Sequence, residues 1–342
     1  AEYTRGGAYI ISAVTRRGNN DFHLNAFTSI QTKDLTTRGP FQKVKPDYNR
    51  QQGGITISGP IMKNKLFYTG TFEIQNINNY TDIIPGRPAY NPGIWDKYAG
   101  TFKAPRKNYL TSTGLTYYFD ENNTFDFVLN YRYQDTEGAY MSPIIHDQWL
   151  KGKNKTANVL LKHNYTISKD AMNELSVHYL YWSYDEGTIK GGTSYVYPSL
   201  RMGLGTFPIQ LKESHYGIID KFTYLYGSHI FKTGVEVKNI IAKAWYPYYM
   251  NPEFTFTTDT SKMPRTVQIG MGFNNPYSAD DARGETNGWS LGAFIQDNWK
   301  ITERLSINYG IRWDGEINML NNDNYNRWAD SAIIKNNIPD KY

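Results

Sequence analysis

Strict alternation of apolar and polar side chains in FIQDNWKITERLSINYGIRWD, residues 294–314, constrains the fold more than any other feature of this chain. The segment contains two candidate strands joined by a short polar turn at Thr302–Arg304. Because successive side chains of a strand point to opposite faces, the second strand has an apolar face that includes Trp313 and a polar face that includes Arg312 and Asp314. Repeated along a chain, such strands favour a membrane β-barrel with lipid outside and water inside.

The composition is compatible with a barrel. The mean hydropathy of the 342 residues is −0.62, and no run of 18 apolar residues indicates a membrane helix. Half of every barrel strand faces water, so a low mean hydropathy is expected. The 29 Tyr, 16 Phe and 8 Trp residues suit the aromatic girdles of a barrel. An aromatic-rich β-sandwich or a carbohydrate-binding module remains open as an alternative at this point.

Charge and cysteine content exclude some kinds of site. The chain has no cysteine, so disulfides and thiolate metal sites are impossible in it. The net charge of +5 is modest for this length. The basic clusters Lys43–Lys45 and Lys151–Lys153 are expected in loops, without a basic stripe or a known nucleic-acid motif. We therefore expect no nucleic acid as a partner.

The alternation recurs along the whole chain. It predicts about eleven strands, at Phe22–Thr32, Gln52–Met62, Leu66–Asn76, Tyr109–Phe119, Phe125–Tyr133, Thr156–Ile167, Leu175–Tyr184, Tyr216–Tyr226, Ile230–Ile241, Trp289–Ile301 and Leu305–Ile317. Short turns are predicted near residues 63, 121, 170, 228 and 303. Long connections are predicted at 33–49, 84–107, 140–152, 189–211, 247–286 and after 320.

The strict alternation of short and long connections is typical of outer-membrane barrels, which have short periplasmic turns and long extracellular loops. The chain is therefore predicted to be all-β, a transmembrane antiparallel β-barrel whose first strand runs outward. Several strands should continue above the bilayer, because they exceed the roughly 9–11 residues needed to cross it. An open sheet of eleven strands would leave unpaired edges in lipid, so we expect the rest of the barrel in further sequence or on another chain.

Three stretches resemble the TonB-dependent outer-membrane receptors, especially their Oar-like branch. Gly6-Gly7 followed by AYIISAVTRRGNNDFHLNAF resembles the end of the family's plug domain running into the first barrel strand. GGITISGPIMKNKLFYTGTFE, residues 53–73, resembles the second and third strands, and residues 294–314 resemble a mid-barrel hairpin. The chain departs from the Oar-like pattern at Leu24-Asn25, where Gly-Ser is more usual, and at Ile11–Ala13.

The resemblance implies a barrel of about 22 strands closed by an N-terminal plug. This chain would then hold about half of the barrel, about 11 of the 22 strands. Residues 1–19 would be the end of the plug domain and its linker, and residues 20–342 the N-terminal half of the barrel with its long extracellular loops. The family's TonB-contacting segment would lie upstream.

The implied function is a TonB-dependent outer-membrane transporter or receptor in the outer membrane of a Gram-negative bacterium. It would import a scarce nutrient, such as an oligosaccharide, a peptide or a metal chelate, by rearrangement of the plug. The implied partners are the TonB–ExbB–ExbD complex and outer-membrane lipid, with a surface lipoprotein as a further candidate. Two alternatives remain open: an adhesin or secretion-associated scaffold on the same barrel, and a secreted sugar-binding β-protein.

No catalytic constellation is recognisable, so neither an enzyme nor a cofactor or metal site is expected. The six His residues are scattered, although His163 and His178 are expected to face each other across a short turn. Aromatic residues of the long loops offer broad surfaces with polar tips, and the candidates for ligand binding are Trp95, Tyr98, Trp149, Tyr195, Tyr197, Tyr248 and Tyr249. Polar residues of the water-filled face are candidates for plug–barrel contacts: Asp126, Asn130, Arg132, Asn308, Arg312 and Asp314.

Overall fold

The computed structural model describes residues 17–38, 45, 47–89, 91–139, 143–190, 192–203, 208–247, 249–269 and 283–318. It contains the strands β1 His23–Thr32, β2 Tyr48–Met62, β3 Leu66–Ile83, β4 Gly100–Tyr118, β5 Asn123–Gly138, β6 Leu150–Ser168, β7 Ala171–Thr188, β8 Ser194–Val196, β9 Arg201–Met202, β10 Ile209–Tyr226, β11 His229–Trp245, β12 Glu253–Thr255, β13 Thr266–Gln268, β14 Arg283–Thr302 and β15 Leu305–Ile317. The helices are single 3₁₀ turns at Lys33–Leu35, Asp96–Tyr98 and His146–Gln148. None of the helices in the described ranges has the length and apolar character needed to cross a membrane.

Eleven of these strands form one antiparallel sheet, in the order β1-β2-β3-β4-β5-β6-β7-β10-β11-β14-β15. Each strand pairs with the one that precedes it and the one that follows it in the sheet, so the wall is a simple meander. The eleven predicted strands and the five predicted short turns are confirmed. Within the described residues, β1 and β15 pair on one side only.

The short turns have a local cause. In the turn between β4 and β5, the Asp120 carboxylate accepts hydrogen bonds from the backbone N–H groups of Asn122 and Asn123, at 2.8 and 2.7 Å. The Asn123 side chain donates to the same carboxylate, and these hydrogen bonds hold the pKa of Asp120 below its usual value. An aspartate that captures the following backbone fixes a tight turn, which sets the register of both strands.

Several strands extend further on the side of the long connections than the alternation predicts. β4 begins at Gly100 rather than Tyr109, β6 at Leu150 rather than Thr156, and β14 at Arg283 rather than Trp289. Above a bilayer neither face of the wall meets lipid, so the apolar–polar alternation fades although the backbone pairing continues. The expected continuation of strands beyond the membrane is therefore present in the structure.

One face of the wall is an exposed apolar belt. Large apolar side chains exposed on it include Leu24, Ile55, Ile57, Phe72, Leu161, Val177, Ile218, Val235, Ile295 and Ile311. The opposite face has polar cross-strand contacts such as the hydroxyl pair of Thr56 and Thr71, at 3.1 Å. A soluble sheet would cover such a belt with another layer, so it is the face suited to lipid.

Aromatic rings form two bands on the apolar face, one near the short turns and one nearer the long connections. Near the short turns, ring contacts join Phe125 with His163, Tyr224 with Tyr226, and His229 with Trp299. Nearer the long connections, they join Tyr109 with Tyr133 and Tyr179 with Tyr216. Trp289 and Trp299 lie ten residues apart on β14, about 33 Å along a strand. At a tilt of about 40° this distance spans about 25 Å of height, which matches the apolar band of outer-membrane barrels.

The long connections are more regular than the sequence indicates. Four short strands from two of them form a second sheet, in the order β13-β12-β8-β9. β8 and β12 pair in parallel, with Tyr195 opposite Phe254. Sequence analysis did not predict these four short strands. The second sheet gives the loop region its own packed layer above the wall, which we call the loop layer: residues 84–99, 139–149, 189–208 and 246–269, within the described ranges.

Candidate functional site

The loop layer has an apolar core where it meets the strand ends. The core consists of Ile83, Ile144, Trp149, Leu150 and Ile209. Trp149 is 0% exposed, and its indole N–H donates to the carbonyl of Ile144 at 3.4 Å. The side chain that the sequence offered as a ligand contact is thus packed in the interior, where it stabilises the base of the loops.

Above this core lies an aromatic cluster, formed by Trp95, Tyr98, Tyr195, Tyr197, Phe254 and Phe256. The Tyr197 ring stacks on Phe256 with centroids 4.4 Å apart and lies 4.9 Å from the ring of Trp95. The Tyr195 ring stacks on Phe254 at 5.7 Å. Three connections that are distant in sequence therefore contribute rings to one surface.

A polar network fixes the cluster from below. The Trp95 indole N–H donates to the Asp259 carboxylate at 3.1 Å. The Ser199 backbone N–H and hydroxyl donate to the same carboxylate, at 3.0 and 2.9 Å. The backbone N–H of Gly86 donates to the Ser199 carbonyl at 2.9 Å, and a Cβ at Gly86 would come within 2.7 Å of the Ser199 side chain. Asp259 is buried, so these donors satisfy a carboxylate that would otherwise be costly to enclose.

A second buried carboxylate holds the loop sheet together. Glu253 of β12 accepts hydrogen bonds from the Arg201 guanidinium of β9 and, at 3.1 Å, from the Ser194 hydroxyl of β8. The Arg201 Nε also donates to the Gly203 carbonyl, at 2.9 Å. Because the Glu253 charge is enclosed, its partners fix the relative positions of three of the loop strands.

The exposed part of the aromatic cluster can act as a binding surface. Tyr195 is 40% exposed, whereas Trp95 is only 7% exposed and supports the rings above it. The Tyr197 hydroxyl is protonated at neutral pH, as for any ordinary tyrosine, and can donate a hydrogen bond; burial raises its pKa further. Held tyrosine rings with polar tips provide rigid contact area for a flat or ring-shaped ligand.

The structure brings together four of the seven predicted loop aromatics: Trp95, Tyr98, Tyr195 and Tyr197. Tyr249 lies in the same connection as Phe254 and has a left-handed φ of 52°, and Tyr248 lies outside the described residues. Sequence analysis missed Phe254, Phe256 and Asp259. Phe254 and Phe256 do alternate with Thr255 and Thr257, but the run is short, and Asp259 carries no sequence signal of its contact with Trp95.

The predicted plug contacts lie on the polar face in two groups. In the first, Asp126 accepts from the guanidinium of Arg17, in the segment before β1, at 2.6 Å and from the Thr116 hydroxyl at 2.7 Å. Asn130 accepts from the Ser112 hydroxyl at 2.7 Å. Arg132 is exposed on the same strand. Asp126 thus ties the segment that precedes the wall to the polar face.

In the second group, Arg312 is neutralised within the wall. Its guanidinium contacts Asp314 at 2.9 Å and Glu236 at 3.2 Å, and Lys238 contacts Glu236 at 3.1 Å. Asn308 is exposed on β15. The charges of Arg312 and Asp314 are therefore largely neutralised by each other. Their electrostatic attraction for a second domain is weaker than the sequence suggests.

The pair of Arg17 and Asp126 permits a prediction. A double-mutant cycle of Arg17→Met and Asp126→Asn should give a coupling energy of about 1 kcal/mol, because the arginine is half exposed and solvent screens it. Hydrogen exchange at residues 17–20 would report the loss of anchoring. Thr116→Val is the control, since Thr116 binds Asp126 without contacting Arg17. A coupling energy near zero would mean that the contact does not hold this segment.

The histidines do not form a site. His163 pairs in register with Leu175, whereas His178 pairs with Leu160, so the two histidines lie on opposite faces of the sheet. The expectation that they face each other is wrong, because the register places them three positions apart. Within the described residues, no group of three or more His, Asp or Glu side chains is placed to hold a metal ion.

Many solved structures are similar to this chain, and three of them are described here. The outer membrane transporter YddB from Escherichia coli has a TM-score of 0.61 at 12% identity and aligns with 89% of this chain and 40% of its own length. The siderophore receptor PirA from Acinetobacter baumannii has a TM-score of 0.53 at 14% identity, with 88% and 40% covered. The copper transporter OprC has a TM-score of 0.51 at 12% identity, with 88% and 38% covered.

At these identities the similarity shows the fold alone, which this chain shares with part of each of these outer-membrane proteins. The chain spans about two fifths of the length of these structures. No curated protein sequence matches it. The model of the family "Outer membrane beta barrel domain" matches residues 14–89 and 79–336, nearly the whole chain. Together with the apolar belt and the two aromatic bands, this match shows that the chain belongs to the outer membrane β-barrel domain family and is located in an outer membrane.

Proposed function

We propose that the chain is part of a TonB-dependent transporter that captures a scarce nutrient on its extracellular loops. The observation that carries the proposal is the aromatic cluster, in which three connections present fixed rings on the side of the wall opposite the short turns. The known cargoes of similar structures differ, since one is named as a copper transporter and another as a siderophore receptor. The cargo proposed here is an oligosaccharide, a peptide or a metal chelate, any of which tyrosine rings can bind.

The same proposal assigns the parts of the chain. Residues 1–19 form the end of a plug and its linker, and residues 20–342 form about half of a barrel of about 22 strands. Support for this division comes from the contact of Arg17 with Asp126 on the polar face, at 2.6 Å. Asn130 and Arg132 extend that surface toward the plug. The resemblance in residues 6–27 and 53–73 favours the Oar-like branch.

Energy for import would come from the TonB–ExbB–ExbD complex, acting on a segment upstream of the plug. The wall itself performs selective binding and gating rather than covalent chemistry. A surface lipoprotein that covers the loops would be a further partner. An adhesin or a secretion-associated scaffold on the same barrel is the alternative. The third alternative, a secreted sugar-binding protein, is wrong, because the chain has an apolar belt and belongs to an outer-membrane family.

The proposal is tested by uptake in cells that express the full-length protein. The probes are a ferric catecholate, a mixture of maltooligosaccharides and a mixture of short peptides, each labelled. Uptake of one class should depend on the protein and stop when a protonophore collapses the proton gradient. If deletion of the gene reduces surface attachment while the uptake of all three probes stays normal, the adhesin alternative is favoured instead.

The cluster itself is tested by substitution. Tyr197→Ala should weaken binding of the active probe about 10- to 100-fold, as expected for the loss of a central aromatic contact. Tyr195→Ala should have a similar or smaller effect. Tyr80→Ala is the matched control, because Tyr80 is 38% exposed on β3, outside the cluster. Unchanged binding in the Tyr197 and Tyr195 variants would place the nutrient site elsewhere.

A further inference from the structure

A row of amide side chains crosses the polar face of the wall on the side of the long connections. We call it the amide row: Gln52, Gln75, Asn108, Gln134 and Asn154, which are direct register partners on the five adjacent strands β2 to β6. Gln134 lies on the same face of β5 as Asp126 and Arg132, so the row lines the lumen. Adjacent strands are about 4.8 Å apart, so the five amides extend over about 19 Å.

The amide row lies between the loop layer and the contact that anchors the segment before β1. On β4 and β5 it is one residue from Tyr109 and Tyr133 of the upper aromatic band, on the opposite face of the wall. Gln134 is eight residues along β5 from Asp126, which contacts Arg17. Eight residues correspond to about 26 Å along a strand. The row therefore borders the part of the lumen that is nearest the loops.

At its β2 end, the row is part of the wall's own hydrogen bonding. The Gln52 side chain accepts from the Arg50 guanidinium and donates to the Glu73 carboxylate, both at 2.7 Å. The Asn108 side chain donates to Gln75 at 2.8 Å. These contacts join β2, β3 and β4, so the first two amides of the row are already engaged within the wall.

From β4 to β6, the row has hydrogen-bonding groups to spare. Within the described residues, the side-chain oxygens of Asn108 and Asn154 are buried and accept no hydrogen bond. Gln134 lies between them in register. An amide has one acceptor and two donor hydrogens, so it can bond a hydroxyl group in either direction. Because a buried acceptor without a donor costs free energy, both side chains would gain by turning toward a hydroxyl in the lumen.

Two aromatic rings continue the row on β7. Tyr184 is the register partner of Asn154, and Trp182 lies two residues away on the same face. Their rings have an interplanar angle of 4° and centroids 6.3 Å apart. The Tyr184 ring lies over Gly152, where a Cβ would be 3.6 Å from it, and its hydroxyl donates to Glu186 at 2.5 Å. Flat rings beside amides suit a sugar, whose C–H face packs on a ring while its hydroxyls bond the amides.

The charges that flank the amide row cancel. Within the described residues, the two neighbouring register rows on this face carry three cations and three carboxylates: Arg50, Arg106 and Arg132, and Glu73, Glu186 and Glu213. An anionic metal chelate would be attracted by a surplus of cations, which is absent from these rows. Strands β3 to β7 are paired on both sides, so an extended peptide meets no free strand edge here. The surface therefore suits an uncharged ligand that is rich in hydroxyl groups.

We infer that the amide row, from β4 to the two rings on β7, is a binding site for an uncharged oligosaccharide inside the lumen, separate from the aromatic cluster of the loops. Asn108, Gln134 and Asn154 bond the hydroxyl groups of the sugar. Trp182 and Tyr184 pack against its ring faces. The inference rests on the proposed import function and narrows the cargo to an oligosaccharide, which reaches this site after its capture by the loops.

The test measures binding of oligosaccharides to the full-length protein in detergent micelles by isothermal titration calorimetry. The probes are malto-, cello-, xylo- and mannooligosaccharides. The double variant Gln134→Leu/Asn154→Leu removes two amides that lie outside the Arg50 network and should weaken binding of the active probe about 10- to 100-fold. The double variant Gln134→Asn/Asn154→Gln keeps both amide groups and should bind nearly as well as the unsubstituted protein.

The matched control is Asn239→Leu/Asn287→Leu. These two amides bond each other at 2.5 Å on the outer face of β11 and β14, next to Trp289. Their loss removes the same chemical groups outside the lumen, so oligosaccharide binding should not change. Heat-modifiable migration would show that each variant is folded. If the leucine variant of the row did not fold, Gln134→Leu and Asn154→Leu would be compared singly with the same control.

Three outcomes would overturn the inference. If no oligosaccharide bound while uptake of peptides or of a ferric catecholate depended on the protein, the import function would stand without this site. If the leucine variant lost binding of short peptides instead, the row would be a peptide site. Unchanged oligosaccharide affinity in the leucine variant would also overturn it, and faster hydrogen exchange at residues 17–20 would then assign the row to the plug. Weakened oligosaccharide binding without any protein-dependent uptake would support the site and contradict only the import function.

Discussion

Replacement of Trp149 by alanine is expected to destabilise the loop layer by about 3–5 kcal/mol, which is the usual cost of removing a fully buried tryptophan. Trp149 is 0% exposed and packs in the core with Ile83, Ile144, Leu150 and Ile209. The wall does not depend on it, because backbone pairing within the sheet continues below the loops. The full-length variant should therefore keep heat-modifiable migration while its loops become sensitive to limited proteolysis and exchange amide hydrogens faster.

The control separates a packing role from a binding role. Tyr195→Ala removes an exposed ring of the same layer and should leave protease resistance within a small margin of the unsubstituted protein. Trp149→Phe keeps most of the packed volume and should recover much of the loss. The sequence alone made Trp149 a candidate for a ligand contact. A ligand contact would be supported if Trp149→Ala weakened nutrient binding while the loops kept their resistance to proteolysis and to amide hydrogen exchange.

The wall was predictable because its signal is local. A strand with lipid on one face and water on the other must alternate, and residues 125–133 or 305–317 satisfy this condition without knowledge of their partners. The tight turns add a second local signal, such as Asp120 with its two bound N–H groups. The strand order then follows, because each hairpin joins neighbours and no crossover is needed.

The loop layer was not predictable by the same reasoning. β8 and β12 have three residues each and pair in parallel across a long interval of sequence, with Ser194 opposite Glu253. Strands this short show no detectable alternation of apolar and polar residues. A parallel pair also lacks the tight hairpin turn that predicts antiparallel pairing from sequence. Aromatic content did indicate four members of the cluster. It could not distinguish the exposed Tyr195 from the buried Trp149, because burial there depends on contacts between separate loops.

Leu161→Arg is expected to destabilise the wall by about 2 kcal/mol, because Leu161 faces lipid between the lower aromatic band and the bilayer midplane, and the cost of arginine falls from about 2–4 kcal/mol at the midplane toward the interface. Leu161 is 51% exposed on the apolar belt. Its register partners Phe127 and Val177 are apolar, so no carboxylate stands opposite the new charge. The guanidinium must remain in hydrocarbon or bend toward the headgroups, and either costs free energy. Urea unfolding of the full-length protein in lipid vesicles would measure the change.

The chain contains a matched control in the preceding residue. Leu160 pairs with Val128 and His178 on the opposite, polar face, one position away from Leu161 in depth. Leu160→Arg makes the same chemical change at nearly the same height in the membrane, but the new charge faces water. It lies two residues along the strand from Lys162, which pairs with Asp126 on the same face. It should cost less than about 1 kcal/mol, since polar substitutions in a lumen are tolerated. Equal costs for the two variants would contradict the assignment of faces, because only lipid on one side makes adjacent leucines differ.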